Sequence, residues 1–291
     1  MYRFSKLAIS IAAFIAVSAP AFAATILIKD AKSQPESLAA APDGTLIVGS
    51  ASTPYVYKIK PGSTTPEVFI DASAEGPGTF FLGQLVDGDT VWSCLLTPVP
   101  GTNQRHTALI GSDLRTGARK LRWNLPGDSN TCNDMAVGPD KALYISDTGN
   151  AKIFRLAPGA QSAETWLDNR LATGIDGLTF VNGVLYYNSV FFNNLYRVPA
   201  DASGKAGTPV QIWMDAPVKG IDGLRIANGK MVQAENGSGK IHMLTLMDGD
   251  RAHVTVLKEG LNQPTGMEAG RGELWIANRG AGEIVSIPLP K

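Results

Sequence analysis

The chain alternates short apolar runs with tight polar turns, and the same pattern returns six times. The segments begin at Glu36, Gly83, Asn133, Asp176, Asp222 and Thr265. In most of them a polar anchor opens a short apolar strand, and a turn follows at Asp43-Gly44, Asp87-Gly88, Asp140-Lys141, Asn182-Gly183, Asn228-Gly229 or Arg271-Gly272. Four of these six pairs are Asn-Gly or Asp-Gly, the dipeptides that favour two-residue hairpins. A second strand rich in aromatic and β-branched residues comes next. A third strand follows, as at residues 56–59, 152–156, 195–198, 240–243 and 283–287. An outer strand, such as residues 165–167 or 211–213, completes the unit. No long apolar pattern at helical spacing interrupts the series.

The anchors at 133, 176, 222 and 265 stand 43 to 46 residues apart. Four-strand repeats of ~40–50 residues read as propeller blades. The expected fold is therefore an all-β, six-bladed β-propeller with four-stranded blades. Its last repeat ends after a third strand and lacks an outer one. Residues 25–36 (TILIKDAKSQPE) match residues 254–265 (VTVLKEGLNQPT), the outer strand and linker before the sixth anchor. Residues 25–29 are accordingly expected to join the last blade and close the ring, so that no terminal blade has an open edge.

The first residues stand apart from this grammar. Arg3 and Lys6 precede an apolar run from Leu7 to Val17, and Ala21-Phe22-Ala23 supplies a small-x-small cleavage pattern. Residues 1–23 are expected to be a signal peptide cut after Ala23, leaving residues 24–291 as one propeller domain that is periplasmic or secreted. The run is short for a membrane span, and no comparable one follows. The chain has 26 basic and 26 acidic side chains, a formal charge of +0. The basic residues Arg115, Arg119, Lys120 and Arg122 alternate with other types, which suits a solvated edge strand and gives no nucleic-acid surface. A small-molecule partner and a monomer are expected.

The anchor column carries the candidate chemistry. The first strand of a blade lies nearest the axis, so Glu36, Asn133, Asp176 and Asp222 are expected around one mouth of the ring. Three carboxylates and a carboxamide form an oxygen-only set suited to a hard divalent cation, Ca²⁺ foremost, with Mg²⁺, Mn²⁺ or Zn²⁺ as alternatives. The competing reading of each Asp-Gly pair is an ordinary turn. His106, His242 and His253 fall in outer loops and strands, which disfavours a histidine zinc site.

Pro35-Glu36, Asn133-Asp134 before Gly138-Pro139-Asp140, Asp176-Gly177-Leu178 and Asp222-Gly223 resemble the senescence-marker/gluconolactonase/luciferin-regenerating family. The resemblance implies a divalent metal held by Glu36, Asp176 and Asp222, with Asn133 on substrate or metal. It implies metal-assisted hydrolysis of small lactones or related esters, with Asp222 as general base or nucleophile. The family's usual fourth-blade amide is Asp176 here, and its arginine two residues before the blade-three Asn is Thr131. Arg279 and Asn236, at neighbouring second-strand ends, are candidate substrate contacts. Cys94 and Cys132 fall at the same mouth in adjacent blades, where a disulfide would brace the site. The alternative function is a non-catalytic periplasmic propeller that binds a ligand or protein partner. A strictosidine-synthase-like chemistry has little support, since the sixth anchor is Thr265.

Overall fold

The computed structural model describes residues 24–28, 33–127 and 130–291. The expected signal peptide, residues 1–23, and Lys29 at the end of the expected closing strand lie outside the described residues. Among the described residues there is no α-helix, and no helix is long and apolar enough to cross a membrane.

The strands run in chain order. After β1 (Thr25–Leu27) come β2 (Pro35–Ala40), β3 (Leu46–Ser50), β4 (Tyr55–Ile59) and β5 (Glu67–Asp71). Next are β6 (Phe80–Asp87), β7 (Thr90–Pro98), β8 (Arg105–Asp113) and β9 (Arg119–Asn124), then β10 (Cys132–Val137), β11 (Leu143–Asp147), β12 (Lys152–Leu156) and β13 (Glu164–Asp168). The series continues with β14 (Ile175–Val181), β15 (Val184–Ser189), β16 (Asn194–Val198) and β17 (Val210–Met214), and with β18 (Ile221–Ala227), β19 (Lys230–Glu235), β20 (Lys240–Met247) and β21 (Arg251–Lys258). It ends with β22 (Pro264–Gly270), β23 (Glu273–Asn278) and β24 (Glu283–Pro288).

These strands form an all-β, propeller-like ring. Four sheets have four strands each: β2–β5, β6–β9, β10–β13, and β22–β24 with β1. The remaining eight strands form one sheet, in which β17 and β21 meet edge to edge. That junction differs from the expected series of separate four-stranded sheets. Trp213 and Met214 pair in parallel with Arg251 and Ala252. The two edges are also tied by a bidentate ion pair from Arg197 to Asp250 and by a 2.6 Å contact between His253 Nδ1 and Asp215.

The ring is packed at its joints. Second strands such as β3 and β11 are buried along their whole length, because a sheet covers each face. Outer strands such as β9 are largely exposed. Each hydrophobic cluster fills the gap between one four-strand meander and the next. One, for example, packs Leu38, Val48 and Ile59 against Trp275 and Ile284 and so joins the first meander to the last. The innermost strands touch in a closed cycle, β2 to β6, β10, β14, β18, β22 and back to β2.

The terminal strand pairs with the last strand of the ring, as the sequence match leads one to expect. Thr25, Ile26 and Leu27 pair with Val285, Ile284 and Glu283. Ala24 and Ser286 exchange hydrogen bonds of 2.9 and 3.0 Å. Ile26 is buried within the joint.

Candidate functional site

A single backbone device aims the anchors at the axis. Every innermost strand shifts register against its partner at the anchor: between Pro35 and Leu38, Phe81 and Gln84, Cys132 and Met135, Ile175 and Leu178, Ile221 and Leu224, and Pro264 and Met267. Such bulges bend a strand and redirect a side chain that the pleat alone would turn elsewhere. The Asp176-Gly177 and Asp222-Gly223 pairs therefore sit in strands at bulges, and the turn reading does not apply to them. The glycines serve close packing. A Cβ on Gly177 would stand 2.3 Å from Leu224 N, and one on Gly223 would stand 2.8 Å from Thr265 O.

Neighbouring meanders hold the anchor backbones. Ser146 Oγ donates to Asp176 O at 2.9 Å, Asn188 Nδ2 to Asp222 O at 2.5 Å, and Thr265 Oγ1 to Glu36 O at 2.5 Å. The sixth-anchor hydroxyl is thus used in the framework. Residues closing the second strands fasten the approaching loops: Asp147 accepts from Thr131 N, Glu235 from Lys219 N, and Asn278 from Asn262 N.

The structure brings Glu36, Asn133, Asp176 and Asp222 to the wall of one axial cavity of about 10 Å³, together with Ser37, Asp134 and Arg225. That is room for ~1 water-sized sphere. Glu36, Asn133 and Asp176 are buried, and Asp222 is half-buried. Asn133 Nδ2 donates to Asp176 Oδ2 and to Thr148 Oγ1, both at 3.0 Å. Asp222 Oδ1 accepts from the Gly223 N–H at 3.0 Å.

Burial first, and the Asp222 charge next, raise the Glu36 carboxyl well above its ordinary range. Asp176 is raised by burial and then by Asp222 and Glu36. Burial lifts Asp222 to about 7, against the pull of the Gly223 N–H and of Arg279. Arg279 also draws Glu36 downward, which places its charge within reach of both carboxylates. Neither Asn236 nor Arg279, whose Nε donates to Gln34 Oε1 at 3.2 Å, lines the cavity itself. Among the described residues no three His, Cys, Asp or Glu side chains stand close enough together to ligate a metal as they are.

Cys94 and Cys132 are bonded, with S–S 1.98 Å and Cα atoms 5.2 Å apart. The bridge links β7 to the residue before Asn133. His242, on a third strand, is buried, and its Nε2 lies 3.5 Å from Glu235.

Sequence reasoning misses a second charged group beneath the mouth. The Arg225 guanidinium grips both oxygens of Asp134, with Nη2 to Oδ1 at 2.6 Å. Its Nε stands 3.7 Å from Glu268 and has no hydrogen-bond acceptor. Burial raises Glu268 to about 7. The signal was present one and three positions after the anchors, where charged residues interrupt innermost strands that elsewhere carry small or apolar residues.

No family model matches the chain, and no curated protein matches it in sequence. Its fold matches solved structures over nearly the whole chain. A luciferin-regenerating enzyme superposes with a TM-score of 0.67 at 14% identity, covering 92% of this chain and 95% of that one. A protein assigned, rather than demonstrated, as a gluconolactonase gives 0.66 at 18% identity, covering 93% of each chain. A virginiamycin B lyase from Staphylococcus aureus gives 0.62 at 16% identity, covering 92% and 99%. At these identities the likeness is one of fold. The first two bear the names of the family that the sequence resembles.

Proposed function

We propose that the ring is a six-bladed propeller and that its mouth is the active site of a divalent-metal-dependent hydrolase of small lactones or related esters. The blade count takes the eight-stranded sheet as two blades joined by the short β17–β21 contact, which agrees with the closed cycle of innermost strands. The observation that carries the function is the convergence of Glu36, Asp176 and Asp222 from three meanders on one cavity. Glu36 and Asp176 are both raised by burial and then by the charge of Asp222, and Arg279 offsets that in part at Glu36.

The donor set fits a hard cation. Glu36, Asp176 and Asp222 would hold it with carboxylate oxygens, and Asn133 with its carboxamide oxygen. When bound, the cation polarises an ester carbonyl and offsets the charge that develops on its oxygen. The side chains have their own tasks. Asp222 would take a proton from the attacking water. The water oxygen adds to the acyl carbon, the acyl–oxygen bond breaks, and the leaving alkoxide recovers the proton. Asn133 donates both hydrogens of its amide nitrogen to Asp176 and Thr148, which leaves its carboxamide oxygen for the cation or a substrate hydroxyl. Arg279 draws negatively charged substrates toward the mouth.

The likeness in fold to a luciferin-regenerating enzyme and to an assigned gluconolactonase supports this reading. Export is part of it, since a Cys94–Cys132 bridge suits an oxidising compartment. The test is metal analysis of the purified protein, followed by hydrolysis of a panel of small lactones and esters with and without chelator. Bound metal, chelator-sensitive turnover and its loss in Asp222→Ala are expected. A metal-free wild type would remove the basis of the reading.

A second reading, a propeller that binds a ligand without turning it over, is favoured by one observation. The acidic side chains do not stand as a closed ligand shell. It predicts an unchanged panel when the mouth residues are substituted.

A further inference from the structure

A second cavity, of about 680 Å³, opens beside the mouth. Its size falls within the ~300–1,000 Å³ of small-molecule pockets. Arg105, Thr131, Thr148, Asp168, Arg170 and Phe191 line it. Thr148 connects it to the anchors, because its Oγ1 accepts the Asn133 amide at 3.0 Å. A molecule with its reacting bond at Asn133 would extend its remainder into this cavity.

The walls have a definite chemistry. Arg105 starts β8, and Arg170 lies in the short 3-10 turn after β13. Both are exposed, and among the described residues neither forms an ion pair. The carboxylate of Asp168 is already held by Lys152 Nζ at 3.2 Å. The wall is therefore net positive, with two free guanidinium forks suited to a carboxylate or phosphate.

The opposite character comes from the β15–β16 loop. Phe191, in the cavity wall, is 63% exposed, and Phe192 next to it in the chain is 57% exposed. The Phe191 ring lies directly over Gly174, where a Cβ would stand 2.6 Å from its Cγ. Gly174 also has a φ of +71°. The glycine thus permits both the turn and the ring's seat, and one apolar face is left turned to solvent beside two cations.

We propose that this pocket receives the non-reacting part of the substrate, and that this part is a small anion bearing a planar apolar ring, an aromatic carboxylate in the simplest case. Calling the occupant a substrate rests on the hydrolase reading. The binding itself does not.

The test is calorimetric titration of the full protein, with calcium present, using benzoate, benzamide and acetate as probes. Benzoate is expected to bind most tightly. Arg105→Gln with Arg170→Gln should weaken it about tenfold or more, to the level of benzamide, as loss of charge-assisted hydrogen bonds requires. Phe191→Ala should bring benzoate toward acetate. These residues are exposed, and far-UV circular dichroism checks that the variants fold. Asp222→Ala is expected to retain benzoate binding. If benzoate binds the arginine variants as well as wild type, or is lost only with Asp222, the anion sits at the mouth and the proposal fails. If benzoate binds through the arginines but no ester or lactone is turned over, the pocket stands and the hydrolase reading falls.

Discussion

Arg225 and Asp134 lie 91 residues apart in sequence and form a buried, two-pronged ion pair across the axis of the ring. Glu268 approaches the same guanidinium from a third meander. The pair lines the same cavity as the carboxylates of the mouth, where Asp134 raises the Glu36 carboxyl and Arg225 lowers it. Removing one partner would strand the others. Arg225→Met is therefore expected to cost ~3–5 kcal/mol, read by denaturant unfolding. The double variant Arg225→Met with Asp134→Leu should recover much of that loss, because it removes both buried charges. Equal losses in the single and double variants would show that packing, not charge, holds the axis.

The terminal strand gives a second expectation. Ile26 is almost fully buried between the first and last meanders. Ile26→Ala should cost ~2–5 kcal/mol, the range for a deleted core side chain. The lost contacts close the ring, so hydrogen exchange should quicken along β24 and β1 before it does in β10 or β11. Uniform quickening would argue that the joint is no weaker than the others.

The closure is legible in sequence because residues 25–36 and 254–265 share one pattern of apolar and polar positions. The anchors are legible for a similar reason, since repetition aligns them whatever the chain does between. The β17–β21 contact is not legible. It joins two residues on each edge, and its formation depends on how two sheets twist toward one another. The Arg225–Asp134 pair is hidden differently. Its partners occupy different columns of the repeat, one and three residues past an anchor, and meet only because the ring brings non-adjacent strands to one axis. The bulges also escape the sequence, which shows the Asp-Gly pairs but not that a register shift aims their carboxylates.

The disulfide closes a loop between residues 38 apart. Constraining the unfolded chain over that span gives ~2–4 kcal/mol of stability. Cys94→Ala with Cys132→Ala should lower the unfolding midpoint accordingly, and a reducing agent should lower wild type but leave the variant unmoved. Both sulfurs are fully buried, so part of any loss in the variant is packing. The reduced wild type separates the two contributions.

Stability should fall as pH rises through the neutral range. Burial holds Glu268 and Asp222 at about 7 in the folded chain. Unfolded carboxyls titrate near ~4. Between these values the folded state binds protons that the unfolded state has released, so the stability linked to these groups is fully present below ~4 and is lost by about 7. Surface aspartates with lowered values, such as Asp43 and Asp201, act below this window. In chelator, the melting temperature is expected to be higher at pH 5 than at pH 8. Glu268→Gln should flatten the slope, and an unchanged slope would place the protons elsewhere.

Asp176 separates the cost of the mouth from its use. Its Oδ2 accepts the Asn133 amide, and its carboxyl is raised by burial and by the charges of Asp222 and Glu36. Asp176→Asn keeps an oxygen for that hydrogen bond and removes one charge from the cluster. Without metal, the variant loses repulsion and should melt higher than wild type at pH 8. With metal, it loses a charged donor, so calcium should raise its melting temperature less than it raises that of wild type. Affinity for the cation should fall by about tenfold or more, as removal of a ligand charge implies. The two shifts have opposite signs, and misfolding cannot produce both. A variant that melts higher without calcium and yet gains as much from calcium as wild type would show that Asp176 is not a ligand. The mouth would then owe its cation binding to Glu36, Asp222 and Asn133.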